Sequence, residues 1–170
     1  MENDVIKLRK LEPRDFNDVL EYMSDPITMT YFVEGIYNEE RVNKFLNPDK
    51  EQEHFGIILK KENKVIGHID LHDWFMKDTY EIGWMLNSNY FNKGYGFMAA
   101  KLVLDYAFNK QKAHRVIATC QPDNIASKRI CEKLGMRLEG LFRQCIYNQR
   151  DNNWWDELFF AILKDEYYEN

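Results

Sequence analysis

Apolar and polar positions along the chain change period several times, and each change marks an element. Residues 5–11, VIKLRKL, alternate apolar and basic side chains and predict a first strand. Residues 12–25 change to helical spacing, with Phe16, Val19, Leu20 and Met23 on one face, Pro13 near the start and Pro26 as the stop. A second helix is predicted over 38–47, with Val42, Phe45 and Leu46 as its stripe and Pro48 ending it. HFGIILKK (54–61) and KVIGHIDLH (64–72) read as two strands joined by a hairpin at ENK, and TYEIGWMLN (79–87) as a third. A glycine turn then opens a helix to about Asn109. HRVIATC (114–120) is a short β-branched strand. Residues 123–135 form a helix with Asn124 as N-cap and Gly135 just past its end. RLEGLFRQCIY (137–147) and WWDELFFAIL (154–163) are two late strands around the polar turn NQRDNN.

No repeat or linker interrupts this order, so residues 1–170 are expected to form a single domain. The early strands should pair antiparallel. The strand–helix–strand unit from 80 to 120 should be parallel and right-handed. The fold class is α/β: a mixed, mostly antiparallel central sheet flanked by helices.

Composition narrows the function. The 170 residues carry a net charge of −5, which argues against a nucleic-acid partner. No apolar run approaches a membrane span, and the N-terminus, MENDVIKLRK, has no signal-peptide core. Three cysteines, Cys120, Cys131 and Cys145, form no C-x-x-C pair and suggest reduced thiols in the cytoplasm. Aromatic residues make up 15% of the chain, enough to line a cleft as well as fill a core.

The chemistry concentrates around NYFNKGYGFMAAKLVLDYAFNK (89–110). Asn92, Lys93, Gly94, Tyr95, Gly96 and Phe97 would present successive backbone N–H groups at a helix N-terminus beside a lysine charge, an anion site. The same glycines also serve a plain turn or helix cap. GYGFMA matches the dinucleotide pattern G-x-G-x-x-A, with Asp123 as an acidic residue further on, and so leaves an NAD-dependent oxidoreductase open. However, seven residues separate the strand from Gly94, and no second mononucleotide half follows. No P-loop pattern exists.

YFNKGYGFMAA resembles the pyrophosphate-binding turn of the GNAT acetyltransferase superfamily, written roughly Q/R-x-x-G-x-G/A. It is closest to the branch that acetylates ribosomal-protein N-termini, where an aromatic residue, here Phe91, often replaces the Q/R. YEIGWML before the turn, NIASKRICEKLGM after it and the closing WWDELFFAIL extend the similarity over nearly the whole chain. The resemblance implies the GNAT fold, acetyl-CoA as co-substrate without a metal, and an amine acceptor, either a protein N-terminus or a small molecule. The protein would be a monomer or homodimer. It also implies that Met85, Leu86 and Asn87 lie where two parallel strands splay and backbone groups hold the pantetheine. Asn124 would contact the CoA arm and Ser127 reach the sulfur. Both also fit simple helix capping. The family's usual tyrosine acid falls at Cys131, so a non-catalytic acyl-CoA-binding module is the alternative.

Acetyl transfer to an amine needs a base, an oxyanion donor and a proton for the leaving thiolate. Glu81 is the candidate base. It shares a strand face with Gly83 and Met85, and partial burial beside Tyr80, Ile82 and Trp84 would raise its basicity. A surface or ion-paired glutamate is the plainer alternative. His68, Asp70 and His72 fall at period two on one strand face. As a metal seed their spacing of roughly 6.5–7 Å is awkward, and they read as a polar stripe. The acceptor cleft is expected from 24–35, 72–75 and the turn between Tyr147 and Trp155.

Overall fold

The computed structural model describes residues 1–47 and 54–169. Seven strands form one sheet in the order β1-β2-β3-β4-β5-β7-β6, with β1 Ile6–Lys10, β2 His54–Leu59, β3 Lys64–Asp73, β4 Thr79–Leu86, β5 Arg115–Cys120, β6 Arg137–Asn148 and β7 Asn153–Leu163. All neighbours run antiparallel except β4 and β5. The expected hairpin, the antiparallel early strands and the parallel 80–120 unit are all present.

Helices α1 Phe16–Met23 and α2 Glu39–Leu46 cover one face of the sheet. Val19, Tyr22, Met23, Val42 and Leu46 pack there on Ile58, Val65 and Met85. Helix α3 Tyr95–Asn109 covers the other face, where Ala99, Val103, Leu104 and Phe108 meet Ile57, Ile69, Leu71 and Ile82. The continuous apolar character of α3 follows, because its whole inner half is buried between sheet and neighbouring helices. Helix α4 Ile125–Lys133 begins at Asn124, whose side chain accepts the Ser127 N–H at 3.1 Å, and Gly135 follows its end in the left-handed region at φ +78°.

Local differences have local causes. The predicted helix over 12–25 is a 3₁₀ turn, Pro13–Asp15, leading into α1. The Asp15 carboxylate accepts the Glu12 N–H at 2.8 Å and the Arg9 guanidinium at 2.7 Å through both oxygens, which fixes that tighter entry. Tyr22, outside the stripe of Phe16, Val19, Leu20 and Met23, is fully buried with its hydroxyl 2.9 Å from His68 Nδ1. A 3₁₀ turn, Ser88–Tyr90, and a terminal helix α5, Lys164–Glu169, were not expected. The stop assigned to Pro48 lies outside the described residues. Among the described residues no helix is long and apolar enough to cross a membrane.

Candidate active site

Strands β4 and β5 pair only from Thr79–Arg115 to Glu81–Ile117 and then part. The β3–β4 ladder continues to Leu86, and the Asn87 N–H bonds the Ile66 carbonyl at 2.8 Å. In an antiparallel ladder alternate residues bond to one neighbour. The odd-numbered residues of β4 are therefore committed to β3, and the backbone groups of Ile82, Trp84 and Leu86 face the gap that β5 leaves. Of the three residues expected at the splay, Leu86 has backbone directed into the gap. Met85 is a core residue beneath α1 and α2. Asn87 is buried, and its side chain donates to Glu21 at 2.8 Å and accepts the Asn89 N–H at 3.0 Å.

A cavity of about 250 Å³ occupies the gap. Its floor is Ile82, Gly83 and Trp84 on one strand and Thr119 and Cys120 on the other, and Gln121, Asn124, Ser127, Ile146 and Glu157 complete it on one side. Tyr31, Phe32, Val33 and Glu34 close the other side. The 24–35 segment and the β6–β7 turn are tied over it. Tyr31 donates to the Asp123 carbonyl at 2.9 Å, and Arg150 reaches the Thr30 carbonyl at 3.4 Å. The expected cleft segments thus meet here, although Trp74 and Phe75 stand outside the cavity wall. Trp74 packs on Phe159 with ring centroids 6.2 Å apart, and Phe75 is 82% exposed.

The turn before α3 has the form that anion binding requires. Asn92 and Gly94 both hold positive φ, +59° and +82°, and Gly94 is the N-cap with no side chain bonded across the helix end. The first-turn N–H groups of Tyr95, Gly96 and Phe97 have no carbonyl within the helix. Lys93 stands beside them, bonded to the Asn89 carbonyl at 3.0 Å and 5.1 Å from the Tyr90 ring centre. The two glycines differ in purpose. A Cβ at Gly94 would meet only Met98 Cε, at 4.0 Å, so this glycine is there for its φ. A Cβ at Gly96 would lie 3.1 Å from Ile130 Cδ1, so this glycine lets α3 approach α4. The mostly antiparallel sheet and this helix–helix role remove the dinucleotide reading of G-x-G-x-x-A, which needs a parallel sheet and a turn directly on its strand.

Ser127 sits on the cavity wall. Its Oγ accepts the Trp84 Nε1–H at 3.1 Å, and no bond among the described residues uses its own hydroxyl hydrogen. Cys131 is fully buried, and burial pushes its thiol far above the ordinary range. Burial likewise pushes Cys120 up to about 11.

Glu81 lies on the sheet face shared with α1 and α2 but is not part of the cavity wall. Its side chain is 17% exposed, with Oε2 at 3.2 Å from His72 Nε2 and Oε1 accepting the Thr119 hydroxyl at 3.2 Å. The bond to Glu81 raises the His72 imidazole pKa. Thr119 shares the cavity wall with Glu157, a residue the sequence patterns did not single out. Burial raises the Glu157 carboxyl, with the neighbouring Thr119 hydroxyl opposing the shift and the Glu81 charge adding to it. The period-two stripe does share one face, as expected. His68 meets Tyr22, Asp70 pairs with His54, and His72 pairs with Glu81. Among the described residues no three His, Cys, Asp or Glu side chains gather as a metal set.

Residues 6–137 match the Acetyltransferase (GNAT) domain family. An uncharacterized N-acetyltransferase of Bacillus subtilis, YnaD, is 46% identical over 162 residues, 94% of each chain. The crystal structure of a GNAT-family acetyltransferase from Bacillus anthracis superposes with a TM-score of 0.91 at 45% identity, covering 97% of this chain and 98% of that one. At 19% identity the fold alone is shared with a spermidine N-acetyltransferase from Vibrio cholerae solved with CoA and spermine, TM-score 0.83, with 98% and 99% covered. A sheet that parts between one parallel pair of strands, followed by a glycine turn into the next helix, is thus set in a chain that belongs to the GNAT family of N-acetyltransferases.

Proposed function

We propose that this protein transfers the acetyl group of acetyl-CoA to a primary amine that is cationic in water. The observation that carries the proposal is the gap beyond Glu81 and Ile117. It opens into a cavity whose charged liners, Glu34 and Glu157, are both carboxylates. An ammonium group entering such a pocket is attracted, and an anionic acceptor is repelled.

The turn from Asn92 to Phe97 would hold the CoA pyrophosphate through backbone N–H groups, with Lys93 adding charge. The backbone of Trp84 and Leu86 would hold the pantetheine as an added strand, and an N–H in that row would face the thioester oxygen. Bound there, acetyl-CoA supplies an activated acyl carbon. Asn124 orients the end of the arm. Ser127, with its hydroxyl hydrogen uncommitted, is placed to donate to the departing sulfur. Glu81 and Glu157 hold negative charge on the acceptor's side, where the amine must shed a proton before its lone pair can attack. A peptide N-terminus, the acceptor implied by the likeness to the ribosomal-protein branch, and a small polyamine both present that ammonium. The unpaired thiols suit the cytoplasm.

An acceptor screen that reads thiol release from acetyl-CoA tests this, with peptide N-termini, polyamines, aminoglycosides and amino acids side by side. Thiol release that matches acetylated amine, strongest with cationic acceptors, is the expected result. Saturable CoA binding without turnover on any amine would instead favour the acyl-CoA-binding module.

A further inference from the structure

We propose that Glu157 takes the proton of the acceptor's ammonium, and that Thr119, Glu81 and His72 pass it on to the surface. This rests on the acetyl-transfer reading above and assigns the base within it. Three observations carry it. Glu157 lines the cavity, whereas Glu81, the residue that sequence reasoning favours, does not. Thr119 donates to Glu81 at 3.2 Å and lines the cavity beside Glu157, on the same face of the β5–β7 pair. Beyond Glu81 lies His72, 3.2 Å away, with 58% of its side chain exposed. The four groups therefore run from the cavity wall to solvent.

The chemistry of Thr119 gives the chain a direction. A hydroxyl has one hydrogen to donate and lone pairs to accept with. It cannot donate to two carboxylates together. It can donate to an ionised Glu81 while accepting from a protonated Glu157. The arrangement is therefore satisfied once Glu157 has taken the acceptor's proton while Glu81 still holds charge. His72 completes that preference, since its imidazolium donates to Glu81. A cross-strand pair would account for His72 and Glu81 alone, because the two are register partners. It does not account for Glu157, with which no cation pairs among the described residues. The titratable groups around Glu157 are Glu81, Glu34 across the cavity, Cys120 on β5 and Cys145 on β6. Around His72 they are Glu81, Asp70 and Asp73.

The proton count also calls for an exit. An N–H bond of the ammonium breaks and its proton bonds to a Glu157 oxygen. The freed nitrogen lone pair forms the N–C bond at the acyl carbon, and the C–S electron pair leaves with sulfur. Nitrogen loses a second proton as the amide forms. One of the two protons ends on the thiol, and the other must reach solvent. In the relay Glu157 gives its proton to the Thr119 oxygen as Thr119 gives its own to Glu81. His72 then takes the proton from Glu81 after losing its own to water.

The test compares wild type with Glu157→Gln, Glu81→Gln, Thr119→Val and Thr119→Ser on one cationic amine across pH. Glu157→Gln should bind CoA normally and lose roughly 10²–10⁴-fold in kcat/KM at neutral pH, with recovery as pH rises and free amine accumulates. Thr119→Val should lower kcat and displace the acid limb of the profile, and Thr119→Ser should restore both. A second readout uses the free protein with ¹³C-labelled glutamate. The Glu157 carboxyl should titrate above the ordinary range in wild type and lower in Glu81→Gln. A wild-type profile for Glu157→Gln, beside loss of turnover in Glu81→Gln, would overturn the assignment while leaving acetyl transfer intact. Failure of wild type to release thiol with any amine would overturn the transfer reading itself. A Glu157 titration indifferent to Glu81→Gln would break the relay whatever the turnover.

Discussion

Gly94 and Gly96 stand one residue apart, yet the structure predicts different responses to the same methyl group. At position 94 the backbone is left-handed, φ +82° and ψ 0°, and the new Cβ meets nothing closer than Met98 Cε at 4.0 Å. Space is therefore no obstacle, and the cost is conformational, about 1–2 kcal/mol for an L-residue held there. In a domain of this size each kcal/mol lowers Tm by roughly 2–4 °C, so Gly94→Ala should lose about 2–8 °C. At position 96 the residue is in the first turn of the helix, where alanine gains at most about 0.8–1.0 kcal/mol over glycine. Against that gain, the Cβ lies 3.1 Å from Ile130 Cδ1, the end of a flexible side chain that must yield by a few tenths of an ångström. The two effects nearly cancel, so Gly96→Ala should melt close to wild type. Gly96→Val adds two further methyls against α4, and overpacking of this kind costs about 1–3 kcal/mol. Binding should follow a different order from stability. Gly94→Ala and Gly94→Val should weaken CoA by disturbing the N–H cradle, and Gly96→Val by shifting α4 with Asn124 and Ser127. Differential scanning calorimetry and CoA titration on the same four variants check both orders. A Gly94→Ala protein that melts higher than wild type would refute the left-handed turn. Valine variants at both positions that fold and bind CoA as wild type does would refute the anion-site proposal.

Ser127→Ala should lower turnover more than CoA affinity, which steady-state kinetics beside direct titration will separate; equal losses would assign Ser127 to binding. Cys131→Ala should cost roughly 1–2 kcal/mol by cavity formation in urea melts and leave kcat largely intact, because the thiol is buried and protonated. Tyr22→Phe should cost about 1–3 kcal/mol, since it leaves the buried His68 nitrogen without its partner at 2.9 Å. His72 gains a carboxylate partner on folding, so its folded pKa is raised above the unfolded value of about 6.5. Its contribution to stability is complete below that value and is lost as pH rises through the folded pKa. The Tm difference between wild type and His72→Gln should therefore shrink between pH 6 and pH 8.5. Glu157 has the same sign: its raised carboxyl favours the fold at acid pH and costs stability once ionised. Glu157→Gln should then melt above wild type at pH 7.5 and not at pH 4.

The parts of the fold that one strand or helix determines by itself were legible. Alternation in VIKLRKL and KVIGHIDLH marked strands. The three-and-four spacing of Phe16, Val19, Leu20 and Met23 marked a helix, and Asn124 and Gly135 marked the ends of another. Tyr22 was missed because its burial depends on a nitrogen 46 residues away, and no local period encodes a buried hydroxyl with a partner. The 3₁₀ entry to α1 was missed for the same kind of reason. Its tightness comes from Arg9, on a preceding strand, clamping Asp15.

The candidate site divides along the same line. The glycine turn, Asn124 and Ser127 lie within 36 residues of one another in one β–α–β–α run, so a linear pattern brings them to notice. Glu81 was legible as a carboxylate on a strand that ends at the gap. Glu157 was not, because its relevance comes from sheet order. Strand β7 inserts between β5 and β6, and the register Thr119–Phe159 and Cys120–Leu158 brings Glu157 level with the end of β5. In the sequence it lies within WWDELFFAIL, where it reads as the polar position of an ordinary strand. Only the order β5-β7-β6 turns that position toward Thr119 and the cavity. A side chain placed by two neighbouring strands depends on two registers at once, and a one-dimensional period holds only one of them.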